Sequence, residues 1–334
     1  MGGEHRQILK VKGLGLFSGG LDSLLAVKII MDQGVDVMGV TCTTPFFSPE
    51  KARAAAKTIG LYLIEVDITK EHLDVLKSPR YGYGKNMNPC IDCHTLMLKV
   101  AGRIMEERKA DFIFTGEVLG QRPMSQTRQS LYVVAKNSGY QEYILRPLSA
   151  LLLPETRPEI EGKVERQRLL AIKGKGRKEQ IAMARLYGID HYSAPAGGCL
   201  LTDPMFSRRL RDLFQQSVDF DVRDVELLKY GRHFRINGFS KAIVGRNSLE
   251  NEALQRLSHE EDIVIHIAQF PGPATIVPHG GDEITIHTAA SLCASYSDAP
   301  KNEEVTALCR IGNSTVHIRV RAAPRDDIER WLIQ

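Results

Sequence analysis

The sequence predicts an α/β fold, a doubly wound parallel sheet, followed by a smaller α+β domain. Strand-like and helical segments alternate along the first part of the chain, which is typical of a parallel sheet with helices on both faces. After about residue 205 the pattern changes to short strands separated by Gly and Pro turns. A chain of 334 residues is long enough for both parts. We therefore expect domains at residues 1–205 and 206–334.

Apolar runs and helical periodicity predict the individual elements of the first domain. Strands are expected at 11–17, 35–41, 62–67 and 111–115, and helices at 24–31, 49–59 and 92–108. Ser48 is a suitable N-cap for the second of these helices. Residues 68–89 read as a long loop, and their Gly-, Tyr- and Arg-containing part at 80–86 is a candidate lid. In the second domain, a helix is expected at 206–214 and a strand at 263–267.

The first predicted strand is followed directly by Ser-Gly-Gly-Leu-Asp-Ser and then by a helix. Such a turn presents unpaired backbone N–H groups and the positive end of a helix dipole, so it can bind phosphate. Gly19 and Gly20 let the backbone approach an anion, and Ser18 and Ser23 add hydroxyl donors. Asp22 would repel a polyanion unless a magnesium ion lay between them. The alternative is an ordinary helix N-cap, which Asp and Ser also favour.

The composition, with 43% hydrophobic and 25% charged residues, is that of an ordinary globular protein. No apolar run approaches the roughly 18 residues that a membrane-spanning helix needs. The first ten residues lack the apolar core of a secretion signal. We therefore expect a cytoplasmic protein with no membrane partner. In that compartment six cysteines indicate metal or redox chemistry rather than a disulfide framework.

Basic residues are concentrated in one segment, which we call the basic segment, residues 163–185. It contains eight Lys or Arg and two Glu, a balance of +6 in a chain whose formal net charge is +4. Such a run is either a solvated helix or a surface that contacts nucleic-acid phosphates. On the second interpretation we expect RNA contacts from Lys173, Lys175, Arg177 and Lys178.

Three cysteines are candidates for chemistry. Cys90 and Cys93 begin a predicted helix at a spacing that suits one metal centre or a redox pair, and Cys199 follows two glycines. Zinc, a thiol with a resolving thiol, and a [4Fe–4S] cluster with one open iron all remain compatible with this spacing. His94 is a poor fourth zinc ligand, because consecutive helical side chains point apart. The other three are expected to be buried structural thiols: Cys42, Cys293 and Cys309.

Several of these motifs resemble those of a known family. The turn at 18–23 resembles the PP-loop of ATP pyrophosphatases, and the Walker pattern is absent from the sequence. Residues 88–94, Asn-Pro-Cys-Ile-Asp-Cys-His, followed by Lys99, resemble a segment of tRNA 2-thiouridylases. Residues 115–121, Thr-Gly-Glu-Val-Leu-Gly-Gln, with Ser-Gln-Thr at 125–127, resemble tRNA 4-thiouridine synthases. The resemblance covers roughly residues 10–205, and the three-cysteine pattern is similar to the cluster-dependent branch of tRNA thiolation enzymes.

The resemblance implies a HUP-like PP-loop fold and an ATP-dependent tRNA sulfurtransferase. Such an enzyme adenylates a uridine carbonyl oxygen, releases pyrophosphate, and replaces the oxygen with sulfur to give 2-thiouridine or 4-thiouridine. The implied cofactors are ATP, Mg²⁺ and a [4Fe–4S] cluster. The implied ATP-binding residues are Ser18, Gly19, Gly20, Asp22, Ser23, Gly116 and Gln121, with Ser125 lining the nucleotide or the base. The implied catalytic residues are Asp22, Cys93 and Cys199, and the implied cluster ligands are Cys90, Cys93 and Cys199.

The second domain resembles a different module. Residues 241–247, 251–252 and 262–266 resemble the NFACT-R domain, an RNA-binding module. The implied partners are tRNA and a sulfur donor, either sulfide or a persulfide carrier protein, and a homodimer is one compatible assembly. Two alternative functions are a PP-loop amidotransferase or ligase and a non-catalytic RNA-binding protein. The three cysteines disfavour the first, and an intact Asp22 disfavours the second.

Overall fold

The computed structural model describes residues 10–190, 192, 199–216 and 220–333. The chain divides into two compact units, Met1–Leu200 and Leu201–Gln334. Within the described residues, no helix combines the length and the apolar character needed to cross a membrane.

The first unit contains a five-stranded sheet in the order β3-β2-β1-β4-β5. Its strands are β1 (Lys12–Leu16), β2 (Asp36–Thr43), β3 (Tyr62–Asp67), β4 (Phe112–Thr115) and β5 (Ile144–Leu145). All adjacent strands pair in parallel, so the predicted α/β class is confirmed. The strand order reverses at β1, which has β2 on one side and β4 on the other. Ligands of such sheets bind beyond the carboxyl ends of the strands at this reversal.

Seven α-helices of the first unit lie in the described residues. They are α1 (Leu21–Met31), α2 (Glu50–Ile59), α3 (Thr69–Lys77), α4 (Cys90–Glu107), α5 (Arg128–Ser138), α6 (Arg157–Ile160) and α7 (Lys178–Leu186).

The long loop predicted at 68–89 is partly wrong, because α3 occupies its first half. Leu73 and Leu76 are buried on one face of α3, so a short amphipathic helix stands where the sequence indicated a loop. The predicted cap Ser48 is also wrong, since Pro49 occupies the N-cap of α2 without a side-chain cap.

Two apolar layers enclose the parallel sheet. In β4, Phe112 and Phe114 pack on the side of α1, whereas Ile113 packs on the side of α4 and α5. This follows from the alternation of side chains along a strand. Eight of the eleven residues of α1 are buried, including Leu24 and Leu25. The helix that follows the glycine turn is therefore held firmly against the sheet.

The second unit is an antiparallel sheet with helices, so the predicted α+β class is confirmed. The strand order is β11-β10-β8-β9-β7-β6 in a six-stranded sheet. The strands are β6 (Arg232–Arg235), β7 (Lys241–Val244), β8 (Ile263–Ile267), β9 (Thr275–Val277), β10 (Val305–Ile311) and β11 (Ser314–Val320). The helices are α8 (Pro204–Gln216), α9 (Val222–Leu227), α10 (Ser248–Leu257), α11 (Glu283–Ser295) and α12 (Arg325–Trp331). Cys293 and Cys309 lie in the core of this unit, as predicted.

Candidate active site

The turn between β1 and α1 lies at the carboxyl edge of the parallel sheet. Gly19 has a φ of 71°, and a Cβ at this position would collide with the backbone carbonyl of Lys51, so glycine is required here. The Ser23 hydroxyl donates to the carbonyl oxygen of Gly20 at 2.8 Å and lies 3.4 Å from the Ser18 hydroxyl. These contacts hold the turn in one shape.

Helix α1 begins at Leu21, earlier than the start at residue 24 predicted from the sequence. Asp22 and Ser23 therefore belong to the first helical turn. The backbone N–H groups of a first turn have no intrahelical acceptors, and the helix dipole adds positive potential. The turn thus has the features of a phosphate-binding site.

The segment after β4 packs directly against this first turn. A Cβ at Gly116 would lie 2.5 Å from the backbone nitrogen of Ser23 and 2.6 Å from the carbonyl carbon of Asp22, so glycine is required by close approach. Two residues predicted for the ATP site, Gly116 and Gln121, are consequently brought to the turn, Gln121 through its contact with Asp22.

The carboxylate of Asp22 is the centre of a polar cluster. Its Oδ2 accepts a hydrogen bond from Nε2 of Gln121 at 2.9 Å and lies 3.2 Å from the Arg177 guanidinium. Gln180 in turn donates to Oε1 of Gln121 at 3.4 Å. Among the described residues, Oδ1 of Asp22 is buried and has no hydrogen-bond partner. An orphaned carboxylate oxygen beside a phosphate-binding turn fits a hard divalent cation such as Mg²⁺, which prefers oxygen ligands.

Two members of this cluster, Arg177 and Gln180, were not predicted as part of the ATP site. Arg177 was expected to contact RNA, but its guanidinium is directed at Asp22 and is largely buried. Arg177 and Asp22 are 155 positions apart in the sequence, and no local pattern joins them. Only the fold reveals this pair.

A buried ionic cluster fixes the segment after β4. Glu117 accepts a hydrogen bond from Nε of Arg146 at 2.9 Å and lies 3.0 Å from Nδ1 of His94. The Thr115 hydroxyl donates to Glu117 at 3.2 Å. Burial alone would raise the pKa of Glu117, but the Arg146 guanidinium and His94 outweigh it and lower the pKa to about 2. The cluster connects β4 to α4 and to the chain after β5, which holds Gly116 in place.

Replacing Glu117 by Gln is expected to destabilise the first unit by about 3 kcal/mol at pH 7, because the buried Arg146 loses its counter-ion. The lowered pKa means that this stabilisation is fully present above the ordinary carboxyl pKa of 4.5 and is lost as the pH falls towards 2. The difference in unfolding free energy between the parent and the variant should therefore shrink in acid.

The measurement is hydrogen exchange of first-unit peptides in urea at pH 7 and at pH 3, since the only tryptophan, Trp331, reports on the second unit. The matched control is Glu65→Gln, which removes an exposed ion pair with Arg53. Equal losses of unfolding free energy in the two variants would contradict the role of Glu117 as the buried counter-ion of Arg146. A loss in Glu117→Gln that does not depend on pH would contradict it as well.

The cysteine pair lies at the start of α4. Cys93 is buried, and Cys90 is half-buried and accepts a hydrogen bond from Nδ2 of Asn88 at 3.1 Å. Burial raises the pKa of the Cys93 thiol well above its ordinary value, and negative charge on Cys199, Cys90 and Cys42 raises it further. Cys199 and Cys90 are thus within electrostatic range of Cys93. Cys42 is buried in β2 as predicted, and burial raises its pKa to about 12.

The neighbourhood of Cys199 is described only in part. The predicted glycines before it lie in residues 193–198, outside the described residues. The backbone nitrogen of Leu200 donates to the carbonyl of Phe46 at 3.0 Å, which ties this part of the chain to the segment after β2. The residue that follows Cys199 is therefore held beside the segment after β2.

A preformed metal site is not present in the part of the chain that the structure describes. No three His, Cys, Asp or Glu side chains there lie close enough together to hold one metal ion. A [4Fe–4S] cluster on Cys90, Cys93 and Cys199 would have a larger core than a single metal ion and is a separate question. The cluster stays a prediction from the sequence.

The basic segment separates into two groups of side chains. Four basic residues pair with acidic ones: Lys163 with Asp111, Arg166 with Glu159, Arg168 with Glu165, and Arg177 with Asp22. Within the described ranges, the other four are exposed and have no acidic partner: Lys173, Lys175, Lys178 and Arg185. The backbone nitrogen of Gly174 donates to the carbonyl of Leu119 at 2.7 Å. The unpaired lysines therefore lie next to the segment that carries Gln121.

The fold and the turn define a nucleotide-binding α/β unit of the PP-loop class with thiols at the same sheet edge. Residues 9–152 match the family model described as thiamine biosynthesis protein (ThiI), and residues 231–332 match the NFACT protein RNA binding domain. The two resemblances found in the sequence, to PP-loop tRNA thiolation enzymes and to NFACT-R, are thereby confirmed.

Curated relatives match the first unit. A probable tRNA sulfurtransferase of Thermococcus kodakarensis is 32% identical over 149 residues, which is 42% of this chain and 37% of that protein. One of Bacillus velezensis is 34% identical over 146 residues, 41% of this chain and 34% of that protein. The chain thus spans about a third of the length of these relatives. A solved 4-thiouridine synthetase–RNA complex with bound ATP is 23% identical, with a TM-score of 0.39 over 66% of this chain and 52% of that chain.

Proposed function

We propose that this protein is an ATP-dependent tRNA sulfurtransferase. The observation that carries the proposal is the Asp22 carboxylate, with an orphaned buried oxygen, in a glycine turn that shares its sheet edge with Cys93. The match of residues 9–152 to the ThiI model and the names of the relatives support the same activity.

The first half of the proposed reaction uses the glycine turn. The backbone N–H groups around Gly19 and Gly20 hold the phosphates of ATP, and Asp22 holds Mg²⁺, which offsets charge on the triphosphate. A uridine carbonyl oxygen attacks the α-phosphorus, the bond to the β-phosphate oxygen breaks, and pyrophosphate leaves. The oxygen then belongs to an adenylate and is a good leaving group.

The second half of the proposed reaction uses the thiols. A sulfur nucleophile attacks the activated ring carbon, and AMP leaves with the former carbonyl oxygen. Where Cys199 carries the sulfur as a persulfide, this attack joins Cys199 to the base through a disulfide. Cys93 then attacks Sγ of Cys199, releases the thiolated base and forms a Cys93–Cys199 disulfide, which a thiol reductant opens. Burial raises the pKa of Cys93, so this thiol must lose its proton to a base before it attacks. A [4Fe–4S] cluster on Cys90, Cys93 and Cys199 is the alternative sulfur carrier.

RNA contacts are proposed at two places, one in each unit. The match of residues 231–332 to an RNA-binding domain supports contact by the second unit. In the first unit, the unpaired Lys173, Lys175 and Lys178 offer exposed positive charge to phosphates. Arg177 is left out of this surface, because its guanidinium is held by Asp22.

Reversing Lys173, Lys175 and Lys178 to Glu is expected to weaken tRNA binding and to reduce the slope of log K against log salt by about 2 to 3. Each phosphate contact that is lost lowers the number of counterions released on binding by about one. Filter binding at salt concentrations from about 50 to about 300 mM measures the slope. This range includes the ionic strength of about 0.15 M found in cells. The control reverses three exposed basic residues outside the segment, Lys57, Lys70 and Arg108. Equal slopes for the two triple variants would mean that the basic segment is only a solvated surface.

The experiment that tests the function supplies the full chain with tRNA, ATP, Mg²⁺, a thiol reductant and a sulfur donor. The donor is a persulfide carrier protein for the route through Cys199 and sulfide for the route through a cluster. AMP and pyrophosphate should form in step with a thiolated uridine, detected by mass spectrometry of digested tRNA. AMP formation with an amide product, or tRNA binding without ATP turnover, would replace the proposal by one of the two alternative functions.

A further inference from the structure

We propose that Arg177 is an internal counter-ion for Asp22, which it releases when Mg²⁺–ATP binds, and that its guanidinium then binds the triphosphate. The inference rests on the proposed ATP site and extends it to a residue outside the glycine turn. It makes Arg177 a competitor of the metal for the Asp22 carboxylate and a direct ligand of the nucleotide.

The first support is the geometry of the ion pair. The Arg177 guanidinium lies 3.2 Å from Oδ2 of Asp22, and the two side chains are only 15% and 18% exposed. An ion pair that is partly withdrawn from water is less screened than one on the surface. Arg177 therefore occupies the electrostatic role that a divalent cation would have at this carboxylate.

The second support is a set of orphaned polar atoms around the pair. Oδ1 of Asp22, Nε of Arg177 and Oε1 of Gln180 are buried without hydrogen-bond partners among the described residues. The Gln180 side chain is fully buried. Buried polar atoms are rarely left unpaired, and functional sites are common exceptions. The orphaned Asp22 oxygen fits a cation and the orphaned Arg177 nitrogen fits an anion, and Mg²⁺–ATP supplies both.

The third support is the anchoring of the segment that carries Arg177. Gly174 is hydrogen-bonded through its backbone nitrogen to Leu119, and Gln180 on the first turns of α7 donates to Gln121. Arg177 lies between these two contacts, at the N-cap position of α7. An exchange of partner from Asp22 to a phosphate therefore needs only a movement of the Arg177 side chain.

The chemistry favours arginine over lysine at this position. A guanidinium is planar and has five donors, so it can release one carboxylate oxygen and engage two phosphate oxygens in the same fork geometry. Arg177→Lys is expected to keep the charge but lose part of the phosphate contact. Arg177→Gln is expected to lose both the counter-ion and the phosphate contact.

The test measures metal and nucleotide binding separately, without turnover. Mn²⁺ alone is titrated by electron paramagnetic resonance, and ATP in EDTA is titrated by calorimetry. Arg177→Gln should bind Mn²⁺ about fivefold more tightly, because Asp22 is no longer neutralised. The same variant should bind metal-free ATP about tenfold more weakly, because a charge-assisted contact is lost. Arg177→Lys should fall between the parent and Arg177→Gln in both titrations.

The matched control is Arg185→Gln, which removes the same charge from an exposed position of α7 and should change neither affinity. The gain in Mn²⁺ affinity should disappear in the double variant Asp22→Asn/Arg177→Gln, which locates the metal at Asp22. A purely structural role for Arg177 predicts unchanged or weaker Mn²⁺ binding, and that result overturns the inference. A parent protein that binds no ATP overturns the proposed ATP site and the inference with it.

Discussion

Replacing Asp22 by Ala or Asn is expected to lower the rate of AMP and pyrophosphate formation by about a thousandfold or more. A bound metal ion contributes several kcal/mol to the stabilisation of transition-state charge, and each 1.4 kcal/mol corresponds to about a tenfold change in rate. Asp22 lies in the first turn of α1, next to the glycines proposed to bind phosphate, and its unpartnered Oδ1 is the predicted metal ligand. Pyrophosphate release with tRNA present measures the effect.

The fold of the Asp22 variants should survive, because the side chain is bound by polar partners rather than by the apolar core. The matched control is Asp36→Asn, an exposed carboxylate at the amino end of the neighbouring strand β2, and it should be as active as the parent. Circular dichroism establishes folding in each case. A folded Asp22→Ala protein that releases pyrophosphate at the parent rate would remove Asp22 from the site.

Replacing Cys93 or Cys199 by Ala is expected to abolish formation of the thiolated uridine while leaving ATP binding intact. The glycine turn does not depend on these thiols, so the two halves of the reaction should separate. Mass spectrometry of tRNA measures the sulfur step, and calorimetry with ATP and Mg²⁺ measures binding. Full thiolation by either variant would contradict the proposed sulfur-transfer role.

Cys90 distinguishes the two sulfur carriers. If a [4Fe–4S] cluster is present, protein purified without oxygen contains iron and acid-labile sulfide, and Cys90→Ala removes both the cluster and the activity. If the carrier is a persulfide, iron-free protein is active and only Cys93 and Cys199 are essential. The control is Cys42→Ala, a buried thiol of the same unit, which should reduce stability at most.

Much of the fold could be predicted because its signals are local. The β1 strand, the glycine turn and α1 follow one another along the chain, and each has its own pattern of apolar or small residues. The errors at 68–89 arose where the pattern was short: α3 has nine residues, and its buried face depends on a few apolar side chains. The Ser48 cap failed because α2 begins one residue later than predicted: Pro49 takes the N-cap position, although Ser is the better cap and Pro suits the first helical position.

What the sequence by itself determined is the glycine turn between β1 and α1, since the requirement for glycine at position 19 comes from a local backbone conformation with φ of 71°. What only the tertiary structure decided is the set of partners around that turn. Arg177 reaches Asp22 across 155 positions, and Arg146 reaches Glu117 across 29. Such pairs form because the parallel strands bring distant loops to one edge of the sheet. The sequence of a basic segment therefore does not distinguish a side chain that faces solvent from one that neutralises a buried carboxylate. Lys175 is an example of the first, and Arg177 of the second.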